Sequence, residues 1–227
     1  FFHLNEFAQH LGKLGVESRL VHDIEVYDTF PTRKIRNWIP NKKKFNQLLS
    51  DFQPDVVFID RQAHFGSATI DAGIPLFVHL RGNYWSEIKW ARETLYRFPV
   101  KRTVLALKDR IAGKCFEDST LILPICNYLS NRVKERYPAK NISTLYQGIE
   151  PTNWYKTDGM NLKHPCVGLL QSANILEKTK EILTIEPVLK KMPNVTFYWV
   201  GDGPYRDYVL TSLKKYENFR WLGHLQY

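Results

Sequence analysis

Cysteine is scarce in this sequence. Its three residues, Cys115, Cys126 and Cys166, form no CxxC pair and lie within or beside apolar runs. A scattered, odd set of this kind argues against a disulfide framework and a cysteine-held metal, and fits reduced structural thiols in a cytoplasmic protein. The seven histidines are dispersed too, without HExxH or HxxxH spacing, so no metal centre is expected. No apolar run approaches the ~20 residues that span a bilayer. The N-terminus lacks the charged-then-apolar layout of a secretion signal. It also lacks an initiator methionine: Phe1-Phe2-His3-Leu4-Asn5-Glu6-Phe7 reads as the inside of an amphipathic helix with no strand before it, and the chain stops at Trp221–Leu225 just after a strand signal. Both ends are expected to be cut from something longer. Short repeats and low-complexity segments are absent.

What is present is globular: 44% hydrophobic and 14% aromatic residues over 227 positions, enough for one large or two modest domains. The formal net charge is +9, unevenly spread. Arg33 to Lys44 holds six basic residues and no acidic one; Lys89 to Lys114 holds eight against Glu93 and Asp109. Such stretches attract the phosphates of nucleic acid, anionic lipid or a nucleotide, or are ordinary solvated faces.

Apolar patterning alternates along the chain. Leu4, Phe7, Ala8, Leu11 and Leu14 recur at helical spacing up to Gly15, and Ser18–Val26 reads as a strand. A short helix over 45–52 ends at Gln53-Pro54. Buried strands are predicted over 55–60 and 75–80, separated by a helix over 63–72. Residues 87–116 read as helical with a break at Pro99. A strand over 119–125 follows, then a helix over 127–137 capped by Asn127, and a strand over 142–146. The segment Tyr146–Cys166 is polar, with Gly148, Pro151, Gly159 and Pro165, and separates two similar halves. It reads as an interdomain linker, the alternative being a long surface loop inside one sheet. Beyond it come strands over 166–171, 195–200 and 219–222, with one helix over 175–191 and another over 205–216. The expected organisation is an α/β chain with domains at 1–150 and 166–227 and a linker at 151–165, ligands lying beyond the carboxyl ends of the strands.

The sharpest local motif is Phe197–Pro204, FYWVGDGP, leading into Tyr205. A strand that runs into Gly-Asp-Gly, with Pro204 at a helix start, places glycines where a ligand can approach backbone and a helix end can face an anion. It fails as a dinucleotide fingerprint, because Arg206 stands where GxGxxG needs glycine. By itself the motif is compatible with an ordinary tight turn.

Taken in order, the motifs resemble GT-B glycosyltransferases, in particular the large family 4 of retaining, nucleotide-sugar-dependent enzymes. The family's V-G-D-G-P is matched by Val200–Pro204 and its F-x-G by Trp221-Leu222-Gly223. Its N-G-V-D segment is resembled by Gln147–Glu150 with Trp154, its P-D-V-V by Pro54–Val57, and its P-L-V-V-x-x-H-G by Pro75–Gly82. The resemblance covers nearly the whole chain. It implies a GT-B-like fold of two Rossmann-type parallel-sheet domains facing a cleft, the second incomplete, with an acceptor on the first and a nucleotide-diphosphate sugar, UDP- or GDP-linked, on the second.

It also implies a site. Arg81 stands at the family's histidine position, where it would contact an anion or hydroxyl near the transferred sugar. Gly82, Lys178, Gly201, Asp202, Gly203, Gly223 and His224 are the expected donor-binding positions. Lys178 is the best diphosphate contact, although the family's G-R and K-G pairs read Gly168-Leu169 and Lys178-Thr179 here; a solvated helix lysine is the plain alternative. No permanently bound cofactor or metal is implied. The family's paired glutamates and Gly-rich first loop have no counterpart in the sequence, so this chain alone is expected to be inactive. The acceptor is expected to be a carbohydrate or a lipid-linked one, in glycan, glycolipid or polysaccharide synthesis, and the basic stretches suit an anionic membrane face in the cytoplasm. Two other classes stay open: a nucleic-acid-binding protein, supported by charge but by no recognised motif, and a GT-B-like epimerase or non-catalytic homologue.

Overall fold

A computed structural model describes residues 2–26, 42–156 and 158–225. Most of the first basic stretch, Arg33–Lys44, lies outside the described residues. The chain divides into two compact units, Phe1–Tyr155 and Lys156–Tyr227, and among the described residues each is built on a parallel sheet of three strands.

In the first unit the order is β1 (Val57–Ile59), β2 (Leu76–Leu80), β3 (Leu121–Pro124), with Ile59 opposite Val78 and Val78 opposite Ile122. Parallel neighbours need crossovers, and helices supply them: α4 (His64–Asp71) joins β1 to β2, while α5 (Tyr84–Glu93) and α6 (Pro99–Asp118) join β2 to β3. Leu76, Val78 and Leu80 share one face of β2 and close a core with Cys115 and Phe116 of α6 and Val133 of α7 (Asn127–Arg136). Gly66 of α4 sits over this core. A Cβ there would lie 2.7 Å from Ile59 Cδ1 and 2.8 Å from Cys115 Sγ, so the helix comes this close only because the residue has no side chain. Burial pushes the Cys115 thiol up to about 12. On the opposite face α1 (Phe2–Lys13) rests Phe7 against Phe58, ring centroids 5.4 Å apart.

Local chemistry sets the helix boundaries. Asn83 Oδ1 accepts the Ser86 amide at 3.2 Å and starts α5, and Pro99 opens α6, where a missing N–H costs nothing. α3 (Lys42–Phe52) packs Phe45 edge-on against Phe65. Lys42 and Lys114 both donate to Asp71, the last residue of α4.

In the second unit the order is β4 (Cys166–Leu170), β5 (Thr196–Val200), β6 (Phe219–Gly223). Three helices, α8 (Leu176–Leu183), α9 (Glu186–Lys191) and α10 (Arg206–Leu213), bury Ile182, Leu189, Val209 and Leu213 against Phe197, Trp199 and Phe219. Register sets Gly168, Tyr198 and Arg220 side by side on the other face, where Arg220 is exposed. The Asn218 amide group reaches three carbonyl oxygens, of Leu189 at 3.1 Å, Met192 at 3.0 Å and Val195 at 3.2 Å. It thereby ties the end of α9 to the start of β6.

Several expected elements differ. Ser18–Val26 is not a strand: Glu25 Oε1 accepts the His22 amide at 3.2 Å, half of a capping box, and the chain turns into a short α2 (Asp23–Val26). The helix expected over 175–191 is two, because Pro187 offers no amide and would clash with the carbonyl four residues back. Asn127 does not cap α7. Cys126 holds the cap position, and Asn127 Oδ1 accepts from Thr144 Oγ1 at 3.3 Å instead. The strand expected over 142–146 is reduced to one bridge, Ile122 to Ile142, with Leu145 N donating to Pro124 O at 2.9 Å.

Candidate functional site

At the carboxyl end of the first sheet, a polar cluster grows out of apolar strands. Because successive residues of β2 face opposite sides, Val78 and Leu80 enter the core while His79 is turned toward Phe58, ring centroids 5.3 Å apart. His79 is nonetheless only 4% exposed. A buried imidazole needs a partner, and Asp60, one residue beyond β1, supplies it: Oδ1 is 3.0 Å from His79 Nδ1. A carboxylate only accepts, so Nδ1 carries the hydrogen and donates. His79 Nε2 is buried with no hydrogen-bond partner among the described residues.

The other Asp60 oxygen meets Arg81, NH2 to Oδ2 at 2.5 Å. Arg81 NH1 in turn lies 2.7 Å from His3 Nε2 on α1. Partial burial and the Arg81 charge both lower the pKa of His3 below its ordinary 6.5; with the guanidinium donating, His3 serves as the acceptor. Arg81 thus joins a four-residue network in which its charge is matched by Asp60. Gly82 follows it and precedes the Asn83 cap of α5. Beside this network is a cavity of about 140 Å³, lined by Leu4, Phe7, Phe58, His79, Leu145 and Ile149 among others; His10 Nε2 and Glu150 Oε2, 3.0 Å apart, also line it.

In the second unit the three strand ends are knitted together by backbone and indole groups. Gly201 N donates to Gly223 O at 2.8 Å, Gln171 N to Val200 O at 3.1 Å, and Ala173 N to Asp202 O at 2.9 Å. Trp199 Nε1 donates to Gln171 O at 2.9 Å and Trp221 Nε1 to Gly201 O at 2.8 Å. The glycines of the Gly-Asp-Gly loop are required by this contact. Gly203 has φ 149°, and a Cβ on it would come within 2.5 Å of Ala173 O. The close approach is therefore between two backbone loops.

Asp202 is folded back: Oδ1 accepts the Gly203 amide at 2.7 Å and stands 3.5 Å from Arg206 NH1. Arg206 is further held by Asp207 at 3.0 Å and lies over the Trp221 ring, 5.2 Å from its centroid. Pro204 is not the first residue of α10. It stands in the turn before Tyr205, the cap residue. Lys178 is half-buried in the first turn of α8, and its carbonyl oxygen accepts a short bond from the Gln171 side chain. His224 is exposed just beyond β6.

Of the sequence-predicted positions, then, Gly201, Asp202, Gly203 and Gly223 converge at one sheet edge, and Arg81 and Gly82 adjoin in the other unit. Sequence reading passed over His3, Asp60 and His79. The signal for His79 was there: a titratable residue inside the apolar run Pro75–Leu80. No group of residues suited to hold a metal ion occurs among the described residues.

No protein-family model and no curated protein matches the chain. Solved structures match it by shape. The Anabaena protein HepE, in a crystal structure with UDP-glucose, gives a TM-score of 0.53 at 17% identity over 88% of this chain and 56% of its own. Staphylococcus aureus TarM, in a complex containing UDP, gives 0.45 at 12% identity over 82% of this chain and 37% of its own. The UDP-GlcNAc 2-epimerase of Neisseria meningitidis, bound to UDP-GlcNAc, gives 0.44 at 14% identity over 88% and 57%. At 17% identity the likeness to HepE speaks for the fold alone. This chain spans 37–57% of their lengths. Two Rossmann-type parallel sheets in one chain, together with the likeness to HepE, make the fold α/β and GT-B-like.

Proposed function

We propose, from this GT-B-like fold, that the chain is part of a glycosyltransferase that moves a sugar from a nucleotide-diphosphate sugar to an acceptor, with retention, as in family 4. The observation that carries the reading is the Gly-Asp-Gly loop at the carboxyl end of β5, packed beside the ends of β4 and β6. Ligands of open parallel sheets lie beyond such ends. Further support is the likeness to HepE, whose crystal structure holds UDP-glucose.

In this reading Phe1–Tyr155 carries the acceptor and Lys156–Tyr227 the donor. Lys178, Gly201–Gly203, Gly223 and His224 receive the UDP or GDP part, and the charge of the departing diphosphate is stabilised by fixed donors and basic side chains. Arg81, already matched by Asp60, contacts a sugar hydroxyl rather than an anion.

Calorimetric titration of the intact protein with UDP, GDP and their sugar conjugates tests the reading. Binding of one diphosphate, lost on Lys178→Ala, together with transfer to an added acceptor, is the expected result. No binding of any nucleoside diphosphate sinks it. The anomer of the product, read by NMR, decides retention, and recovery of an epimerised donor would replace transfer by epimerisation.

A further inference from the structure

His3, Phe7 and His10 lie on one side of α1, at the spacing of its turns. Phe7 rests on Phe58 of β1, and the two imidazoles secure the helix on either side of it. They do so by different chemistry. Arg81 has only hydrogens to give, so His3 Nε2, 2.7 Å from its NH1, must accept, and only the neutral ring has a lone pair there. Glu150 has only lone pairs to offer, and His10 Nε2, 3.0 Å away, can give it a hydrogen whether the ring is neutral or charged. The Thr152 hydroxyl and amide donate to Glu150 at 2.8 and 3.3 Å and hold its pKa below the ordinary carboxylate value. Glu150 therefore stays ionised in mildly acid solution.

We propose that α1 carries a pH-sensitive latch at one end: protonation of His3 releases the first turn from Arg81, while the His10–Glu150 contact keeps the rest of the helix in place. A charged His3 sets two cations 2.7 Å apart, with no acceptor left between them. Its surroundings offer little relief. Both oxygens of Asp60 are already taken, by His79 at 3.0 Å and by Arg81 at 2.5 Å. Glu6, the one carboxylate on α1, and His10 are the other titratable groups that the helix turns toward the cavity. Partial burial and the Arg81 charge hold the His3 pKa under 6.5 while the helix is docked, so the docked form binds fewer protons than the released one. Docking is complete above pH 6.5 and weakens as pH falls below it. Acid thus loosens one wall of the cavity and removes one of the two groups that hold Arg81. Nothing in this depends on a sugar donor.

The test is amide hydrogen exchange of the whole chain, read by NMR at about pH 5 and about pH 8, the range over which histidine changes charge. Rates are divided by the intrinsic ones at each pH. The Glu6 and Phe7 amides, which close the first turn of α1, should lose about fivefold of their protection in acid, the worth of one hydrogen bond. Lys13 in the last turn and Val78 in β2 should keep theirs. His3→Gln, whose amide oxygen accepts from Arg81 at any pH, should abolish the difference, and His10→Gln should leave it. Imidazole NMR should find His3 titrating below 6.5 and moving upward in Arg81→Gln. Equal protection at the two pH values overturns the proposal. So does a difference that survives in His3→Gln, one that vanishes in His10→Gln instead, or one shared by Val78, which would be global unfolding.

Discussion

A Cβ built on Gly201 would stand 2.0 Å from the carbonyl oxygen of Gln171. The loop that ends β5 and the loop that ends β4 therefore touch backbone to backbone, and at φ 154° the position favours glycine on conformational grounds as well. Gly201→Ala should destabilise the second unit by about 3 kcal/mol. Gly148→Ala, where a Cβ meets nothing within 4 Å, should be close to neutral. Urea unfolding followed by tryptophan fluorescence compares them. Equal midpoints would show that the loops can part without cost.

The same geometry in the first unit involves side chains. Gly66→Ala drives a methyl group into Ile59 and Cys115, and in a packed core that costs about 1–3 kcal/mol. Cys115→Ala in the Gly66→Ala background should recover part of the loss, because it removes one of the two contacts. A double-mutant cycle measures the recovery.

Asp60 serves two partners, His79 at 3.0 Å and Arg81 at 2.5 Å. Asp60→Ala leaves a buried imidazole without its acceptor, at a cost of about 1–3 kcal/mol. Arg81→Ala should cost less, under about 1 kcal/mol, because that side chain is a third exposed and its pair is screened. Thermal melts of the two variants should fall in that order, and the reverse order would mean that the arginine rather than the histidine depends on Asp60.

Glu186 is held by the Tyr216 hydroxyl at 2.5 Å and by Lys215 at 3.2 Å, which bring its pKa down from 4.5 to about 2. A carboxylate with a depressed folded-state value contributes stability above the unfolded value, and the contribution fades as pH falls from about 4.5 through about 2. Tyr216→Phe should move the Glu186 titration upward, toward the ordinary carboxylate range. Side-chain carbon NMR across that range follows it directly.

Thiol reactivity gives a separate check on burial. Cys115 is wholly buried with its pKa near 12, and the thiolate is the reactive form. An aromatic disulfide reagent should leave Cys115 unmodified in the folded chain and label it only after unfolding, with peptide mass spectrometry locating the label.

The alternation of strand and helix was legible in the sequence because buried parallel strands are continuous apolar runs: Pro75–Leu80 and Val195–Val200 could hardly be anything else. Elements whose identity depends on a few local contacts were less so. Ser18–Val26 has enough β-branched and apolar residues for a strand, yet one carboxylate accepting the His22 amide turns it into a helical turn. Pro187 was readable as a break and was masked by the apolar spacing of Ile182, Ile185 and Leu189. In the site, Gly-Asp-Gly stood out by composition, but its packing against Gln171–Ala173 depends on a contact about thirty residues distant in sequence. The Asp60–His79–Arg81 network likewise joins two strands, and only their register reveals it.

The indole hydrogens of Trp199 and Trp221 point at the carbonyls of Gln171 and Gly201, which gives the second unit a built-in optical gauge. Any solute that settles on that sheet edge and shifts either carbonyl alters the polarity felt by an indole. Emission wavelength and the two indole proton resonances would therefore register occupancy on an unlabelled molecule, with no dye or tag to disturb it.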